Sequence, residues 1–346
     1  MQLDAYRQLG FWTLALGYYA RHDPDAMLDP EGDQVVADFV APLVRQLRDE
    51  DLLADYSWMR YAEGGFHLRC QFRAQSDDQA TLQQDCIRAH FQRIKLARPA
   101  LFTGEQRLSP MAAALNRRSG VNTLHAPGTL QAGVARDTGE EHVYDQTSSY
   151  LYVMRAQTLW SDVALQAVAA TTTYAQRLWI ALPAALALLR QHATCASQHA
   201  AQALFIAATW RQHFGIDATI GDAQAARVWA QCDRIEALAA SIATSPLQTV
   251  RHLPETLHHL AEHALARGQA GVTSLAAERP ELRAMQVLSL VHQVFNRLGI
   301  SLIDETAICA LVYRWVATDA AVPVETIQAE VATWIQHWSR PHVAAA

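Results

Sequence analysis

The sequence predicts an α+β protein: a small antiparallel sheet of split βαβ type in the first part, packed against a large helical portion. Three observations carry this. Residues 66–72 (FHLRCQF) follow 56–61 (YSWMRY) across Ala62-Glu63-Gly64-Gly65, two short alternating runs around a Gly-Gly turn, which is a hairpin pattern. An aromatic run, FWTLALGYY at 11–19, precedes them and reads as a strand. From Thr147 onward nearly every segment carries helical spacing, with breaks at prolines and glycines.

In chain order, 35–47 (VVADFVAPLVRQL) has apolar residues at helical spacing, with Pro42 near the middle as a possible break. Residues 81–96 read as a second helix, opened by Ser76-Asp77-Asp78, because short polar side chains satisfy the free N–H groups of a first turn. Strand, helix, hairpin, helix then needs one more strand, and 130–135 supplies it. Segment 97–128 holds three prolines and three glycines and reads as irregular; a stretch of that length is either functional or mobile. Helices follow at 147–170, 175–193, 197–214, 222–243, 255–267, 280–298, 304–318 and 324–338. The expected organisation is a single α+β domain over 1–346, with the sheet in 1–140 and the helical part in 147–340.

Composition narrows the function classes. With 346 residues, 51% hydrophobic and 18% charged, the chain buries a full core and is not disordered. A net charge of −6 argues against a general nucleic-acid binder. The longest apolar run, 178–189, is too short for a bilayer and contains Pro183. No basic segment followed by an apolar run opens the sequence, and the five cysteines form no CxxC pair, so a cytoplasmic protein with reduced thiols is expected. Every basic residue except Lys95 is arginine, which suits bidentate capture of carboxylates but equally reflects high-GC coding.

Three blocks could carry chemistry. In the hairpin, His67 and Arg69 share one strand face, with Arg60 on the partner strand; they form either a site or a wet outer sheet surface. In Glu140-Glu141-His142-Val143-Tyr144, His142 and Tyr144 would share a face if extended, and both can move protons; the plainer reading is a charged loop before a helix. In SLVHQVFNRL (289–298), His292 and Asn296 stand one turn apart in an otherwise apolar helix, either as satisfied core polar groups or as site residues. A fourth pattern, His259-Leu260-Ala261-Glu262-His263, spells a zinc-peptidase H-x-x-E-H, but no third ligand follows and fifteen histidines make chance matches common. No metal and no cofactor are expected, and there is no phosphate-binding glycine motif.

The three blocks, in that order, resemble the thiopeptide-type bacteriocin biosynthesis domain, which also occurs as the C-terminal elimination domain of lantibiotic dehydratases. That family shows Arg-Tyr, a turn, then His-x-Arg-x-Arg-Phe; here stand Arg60-Tyr61 and His67-Leu68-Arg69-Cys70-Gln71-Phe72. It shows a glutamate before Arg-Tyr-Gly-Gly; here Glu140 precedes Val143-Tyr144-Asp145-Gln146. It shows a late helix with His-Met-x-x-Asn-Arg-Leu; here that is His292-Gln293-Val294-Phe295-Asn296-Arg297-Leu298. The resemblance spans about residues 12–315.

One branch of the family eliminates glutamate from glutamylated Ser or Thr. Another, the pyridine synthases, joins two dehydroalanines, closes a macrocycle and expels the leader peptide. In the eliminating branch the motif arginines handle the glutamyl carboxylate. Here Gln71 and Val143 replace two of them, while Arg69 and His292 remain. Losing two charged partners should cost several kcal/mol of transition-state binding, taking about 1.5–3 kcal/mol for each charged hydrogen bond.

The resemblance therefore implies a pyridine synthase first, a glutamate-eliminating lyase second, and an inactive leader-binding module third. It implies Tyr144, His142 and His292 as catalytic groups, and Arg60, His67, Arg69, Glu140, Asn296 and Arg297 as substrate-binding groups. The partner implied is a precursor peptide with its leader, with other enzymes of the pathway and a homodimer left open. Neither nucleic acid nor membrane is expected as a partner.

Overall fold

The computed structural model describes residues 11–135, 147–214 and 280–338. The predicted helices at 222–243 and 255–267 lie outside the described residues, as do Glu140, His142, Tyr144, His259 and His263.

Four strands, β1 (Phe11–Tyr18), β2 (Asp55–Tyr61), β3 (His67–Ala74) and β4 (Leu130–Ala135), form one antiparallel sheet in the order β2-β3-β1-β4. β3 lies between β1 and β2, and β1 between β3 and β4, so two split βαβ units interlock, as the sequence predicts. The first crossover is α1 (Pro30–Val35) and α2 (Ala41–Asp49), joined by a π turn over Val36–Val40. The second contains α3 (Asp77–Ala97), a 3₁₀ turn at Pro99–Phe102 and α4 (Pro110–Arg118).

Two sequence expectations are corrected here. The helix expected at 35–47 begins at Pro30, where Asp29 accepts the Gly32 N–H at 2.9 Å and proline occupies the first turn. Pro42 does not end the helix. It has no N–H to give, and the backbone widens to a π turn just before it, with the Ala41 N–H reaching back to the Val36 carbonyl. Segment 97–128 is also more ordered than expected. Ser109 caps α4 at 3.2 Å, and Pro110 starts it.

Alternation gives the sheet two different faces. Ala15, Trp58, Leu68, Cys70 and Phe72 belong to the buried core with Phe39, Leu43, Ile87 and Phe91 from the crossover helices. Phe91 packs edge-on against Phe39 (5.5 Å) and Phe102 (5.3 Å). Each such ring contributes on the order of 1.5–3 kcal/mol by leaving water. Gly17 makes this approach possible, since a Cβ there would lie 3.0 Å from the Phe91 ring.

The chain divides into two compact units: Met1–Arg177 with Asn296–Gly299, and Leu178–Phe295 with Ile300–Ala346. The first therefore takes in α5 (Thr147–Ala170) as well as the sheet. α5 runs beside the edge strand β2: the Tyr56 N–H donates to Thr158 Oγ1 (3.0 Å) and the Tyr56 hydroxyl to Asp162 (2.6 Å). The second unit contains most of α6 (Tyr174–Gln191) and of α8 (Pro280–Arg297), together with α7 (Ala196–Phe214), α9 (Leu302–Asp319) and α10 (Val324–Trp338). Buried alanines of α7 let α9 and α10 pack closely on it, and Phe205 meets Trp334 edge-on. No described helix is long and apolar enough to cross a membrane.

Candidate functional site

In the first unit the hairpin face opposite the core of Trp58, Leu68 and Cys70 carries a ladder of directly opposed pairs, most of their residues buried: Asp55 with Arg73, Ser57 with Gln71, Met59 with Arg69, and Tyr61 with His67. Arg73 forms an ion pair with Asp55, and the Ser57 hydroxyl donates to Gln71 Oε1 at 3.1 Å. His67 stacks on Tyr61 (centroids 5.5 Å, 15°) and meets Tyr18, its neighbour on β1, at 4.6 Å. His125 lies on Tyr18, also at 4.6 Å. The Arg69 guanidinium stands 5.6 Å from the Tyr61 ring centroid.

His67 is 4% exposed, and burial pushes its pKa down to about 4, with the Arg69 and His125 charges acting in the same sense. The ring is therefore neutral at pH 7. Its Nδ1 lies 2.9 Å from the Gly65 carbonyl, which can only accept, so Nδ1 holds the proton and Nε2 is the acceptor. The turn that supplies this carbonyl is held from outside the hairpin. Asn116 accepts the Gly64 N–H (2.7 Å) and donates to the Ala62 carbonyl (2.8 Å), while Gln106 accepts the Phe66 N–H. Gly64 and Gly65 both have positive φ, which side chains rarely adopt.

His67 and Arg69 thus share a face, as expected, but Arg60 points to the other side of the strand. It is buried between Asp29 (3.3 Å) and Asp33 (2.7 Å), over the Trp58 ring. Arg177 grips Asp33 with both terminal nitrogens, and the Tyr19 hydroxyl donates to Asp29. Asn296 and Arg297 meet the free edge of β2. The Arg60 N–H donates to Asn296 Oδ1 (2.7 Å), Asn296 Nδ2 donates to the Arg60 carbonyl (2.8 Å), and Arg297 Nε donates to the Trp58 carbonyl (2.7 Å). With Thr158 at Tyr56, side chains satisfy alternate residues 56, 58 and 60 of an edge that, among the described residues, has no further strand beside it.

In the second unit His292 projects from α8. Its Nδ1 lies 2.9 Å from Glu305 Oε2, and the Trp210 indole donates to the other oxygen, Oε1, at 2.7 Å. The Trp210 ring also meets the imidazole, tilted 60° with centroids 5.0 Å apart. Glu305 is fully buried, whereas the His292 side chain is 27% exposed. A histidine held this way by a carboxylate can accept or donate a proton through Nε2. His292 and Asn296, one turn apart on α8, therefore take separate partners. Sequence reasoning missed Glu305 because it reads as an ordinary acid in the first turn of α9, where Ser301 is the cap. Its partner Trp210 is 95 positions away, and no local pattern links them. Among the described residues no His, Cys, Asp and Glu cluster could hold a metal ion.

Comparison with known proteins places this architecture. The profile of the family described as lantibiotic biosynthesis dehydratase, C-terminal, matches residues 26–316. Among curated proteins no sequence matches the chain. The fold is similar to the pyridine synthase TbtD from thiomuracin biosynthesis, with TM-score 0.59 and 17% identity, covering 91% of this chain and 100% of that one. It is similar to TsrL, with TM-score 0.53 and 14% identity, covering 91% and 96%. It is also similar to the tRNA-dependent lantibiotic dehydratase MibB from Microbispora sp. 107891, with TM-score 0.51 and 15% identity, covering 90% of this chain. The match takes in 28% of the length of MibB. The motif order, the sheet and the profile match agree: the chain belongs to the lantibiotic dehydratase C-terminal domain family.

Proposed function

We propose that this protein is a pyridine synthase of thiopeptide-type biosynthesis, acting on a ribosomally made precursor peptide that carries its leader. The observation that carries the reading is the Ser57–Gln71 pair. Gln71 stands where the eliminating branch has an arginine, on the face that holds His67 and Arg69, and it is tied to a neutral hydroxyl. A glutamyl leaving group bears carboxylates that such a pair serves poorly. Two dehydroalanines bear none.

The reaction has two demands. A flexible peptide must fold so that both reacting ends meet, and bringing them together can supply much of the acceleration. One amide must become an iminol so that a 2-azadiene adds to the second alkene, forming two carbon–carbon bonds. Loss of water and of the leader amide then leaves the aromatic ring, and both departures need a proton. Arg69 and His67 would hold peptide carbonyl and amide groups, and Glu140 would assist them. Tyr144 is the preferred acid, because a phenol stays protonated at neutral pH. His142 and His292 would serve as proton relays. No cofactor is needed for this balance.

The test is direct. A leader-bearing peptide with two dehydroalanines should lose water and the leader amide, read by mass spectrometry, while a glutamyl-Ser peptide should release little glutamate. Rapid glutamate release would make the protein a lyase. Binding of the leader with neither reaction would make it a presenting module. Tyr144→Phe should keep leader binding and slow pyridine formation by roughly 10²-fold, the usual scale for one acid–base group.

A further inference from the structure

We propose that Glu305 and Trp210 are a positioning pair that fixes His292 in the Nδ1–H tautomer, leaving Nε2 as the atom that exchanges a proton with substrate. The first half stands on geometry within one unit. The second half, that this atom acts on a peptide substrate, rests on the reading above.

The geometry is restrictive. An indole N–H can donate and cannot accept, so Glu305 Oε1, 2.7 Å from Trp210 Nε1, must be the acceptor. The other oxygen, Oε2, faces His292 Nδ1 at 2.9 Å. A carboxylate offers acceptors on both sides, so Nδ1 must carry hydrogen. Glu305 is fully buried, and its two oxygens are divided between these two donors. The edge of the imidazole away from Glu305 is the one bearing Nε2, and His292 keeps 27% exposure. Trp210 also touches the imidazole itself, its ring tilted 60° with centroids 5.0 Å apart.

One substitution tests the wiring with almost no change in shape. In Glu305→Gln the amide has one acceptor and one donor end. Trp210 requires the carbonyl end, so the NH2 end must face Nδ1. Nδ1 then has to accept, and the proton moves to Nε2. In the double variant Trp210→Phe/Glu305→Gln the amide is released from that demand and can turn its oxygen to His292. Proton–nitrogen correlation NMR of the imidazoles, assigned by loss of one ring in His292→Gln, reads the tautomer without any substrate.

The expected results are an Nδ1–H ring in the wild type, an Nε2–H ring in Glu305→Gln, and recovery of Nδ1–H in the double variant. With the dehydroalanine peptide, Glu305→Gln should lower kcat by about 10²-fold with KM nearly unchanged, and the double variant should regain part of it. An Nε2–H ring in the wild type, or a tautomer unmoved by Glu305→Gln, overturns the positioning role. A tautomer that inverts while kcat stays constant overturns the proton-transfer role. If the wild type turns over neither test peptide, the proposed reaction fails, and with it the Nε2 role, while the NMR result still decides whether Glu305 sets the tautomer.

Discussion

Asn296 shows how a residue chosen for chemistry can be occupied by structure. Its amide pairs with both the N–H and the carbonyl of Arg60, the pattern a neighbouring strand would otherwise provide. Asn296→Ala leaves two partly buried backbone groups without partners, at about 1–3 kcal/mol each. The expected outcome is a loss of about 2–6 kcal/mol in urea unfolding. Unchanged stability with lost turnover would instead give Asn296 to the substrate. His292 and Asn296 stand out in sequence as polar residues in an apolar helix, either satisfied core groups or site residues, and Arg297 enters through the family motif. Whether such a group faces substrate or a strand edge 236 positions away is not written in its neighbourhood. Gln71 is the reverse case. Its identity, set against the family motif, already marked the missing arginine, and the structure adds its partner, Ser57.

At the scale of elements, two local devices hold the hairpin and the first crossover. Asn116 on α4 takes two backbone groups of the Ala62–Gly65 turn. Asn116→Ala should cost about 2 kcal/mol and speed amide exchange at Gly64, while distant amides of α9 stay protected. The cradle at the start of α1 is tighter still. A Cβ on Gly32 would stand 2.2 Å from Asp29 Oδ2, 2.6 Å from the Tyr19 hydroxyl and 2.7 Å from an Arg60 nitrogen. Gly32→Ala must therefore push apart a buried ion-pair network. Breaking such a network costs about 3–5 kcal/mol, so a calorimetric melt should show a large drop or no folded protein. The strands, the split βαβ arrangement and the start of α3 were legible because alternation, a Gly-Gly turn and the Ser76 cap are local signals, whereas the start of α1 at Pro30 was missed. α4 was hidden because a short helix inside a Pro- and Gly-rich stretch gives too few turns for periodicity to register, although Ser109-Pro110 marks its start. The ion-pair network was hidden because Asp29, Asp33, Arg60 and Arg177 come from three separated segments.

For the molecule as a whole, buried neutral histidines tie stability to pH. Burial lowers His67 in the first unit to about 4, and does the same to His192 and His199 in the second. The ordinary value is about 6.5, so between pH 6.5 and 4 the unfolded chain binds protons that the folded chain refuses. Stability from these groups is complete above pH 6.5 and drains away as pH falls toward 4, by on the order of 3 kcal/mol for each histidine. Below pH 4 both states are protonated and this contribution levels off. Carboxylates complicate the lower end of the range, so pH 5 to 7 is the useful interval. Urea midpoints should fall steadily across it on acidification. His67→Phe removes the group that titrates and keeps a ring between Tyr61 and Tyr18, though it gives up the bond to the Gly65 carbonyl. That variant should start less stable at pH 7 and lose less on the way to pH 5, its curve shallower by one proton's share. A wild-type midpoint that stays flat from pH 7 to 5 would mean that these histidines take up protons in the folded protein as readily as in the unfolded chain. His67 would then be a cation at acidic pH, and its Nε2 would donate to a peptide carbonyl rather than accept from an amide.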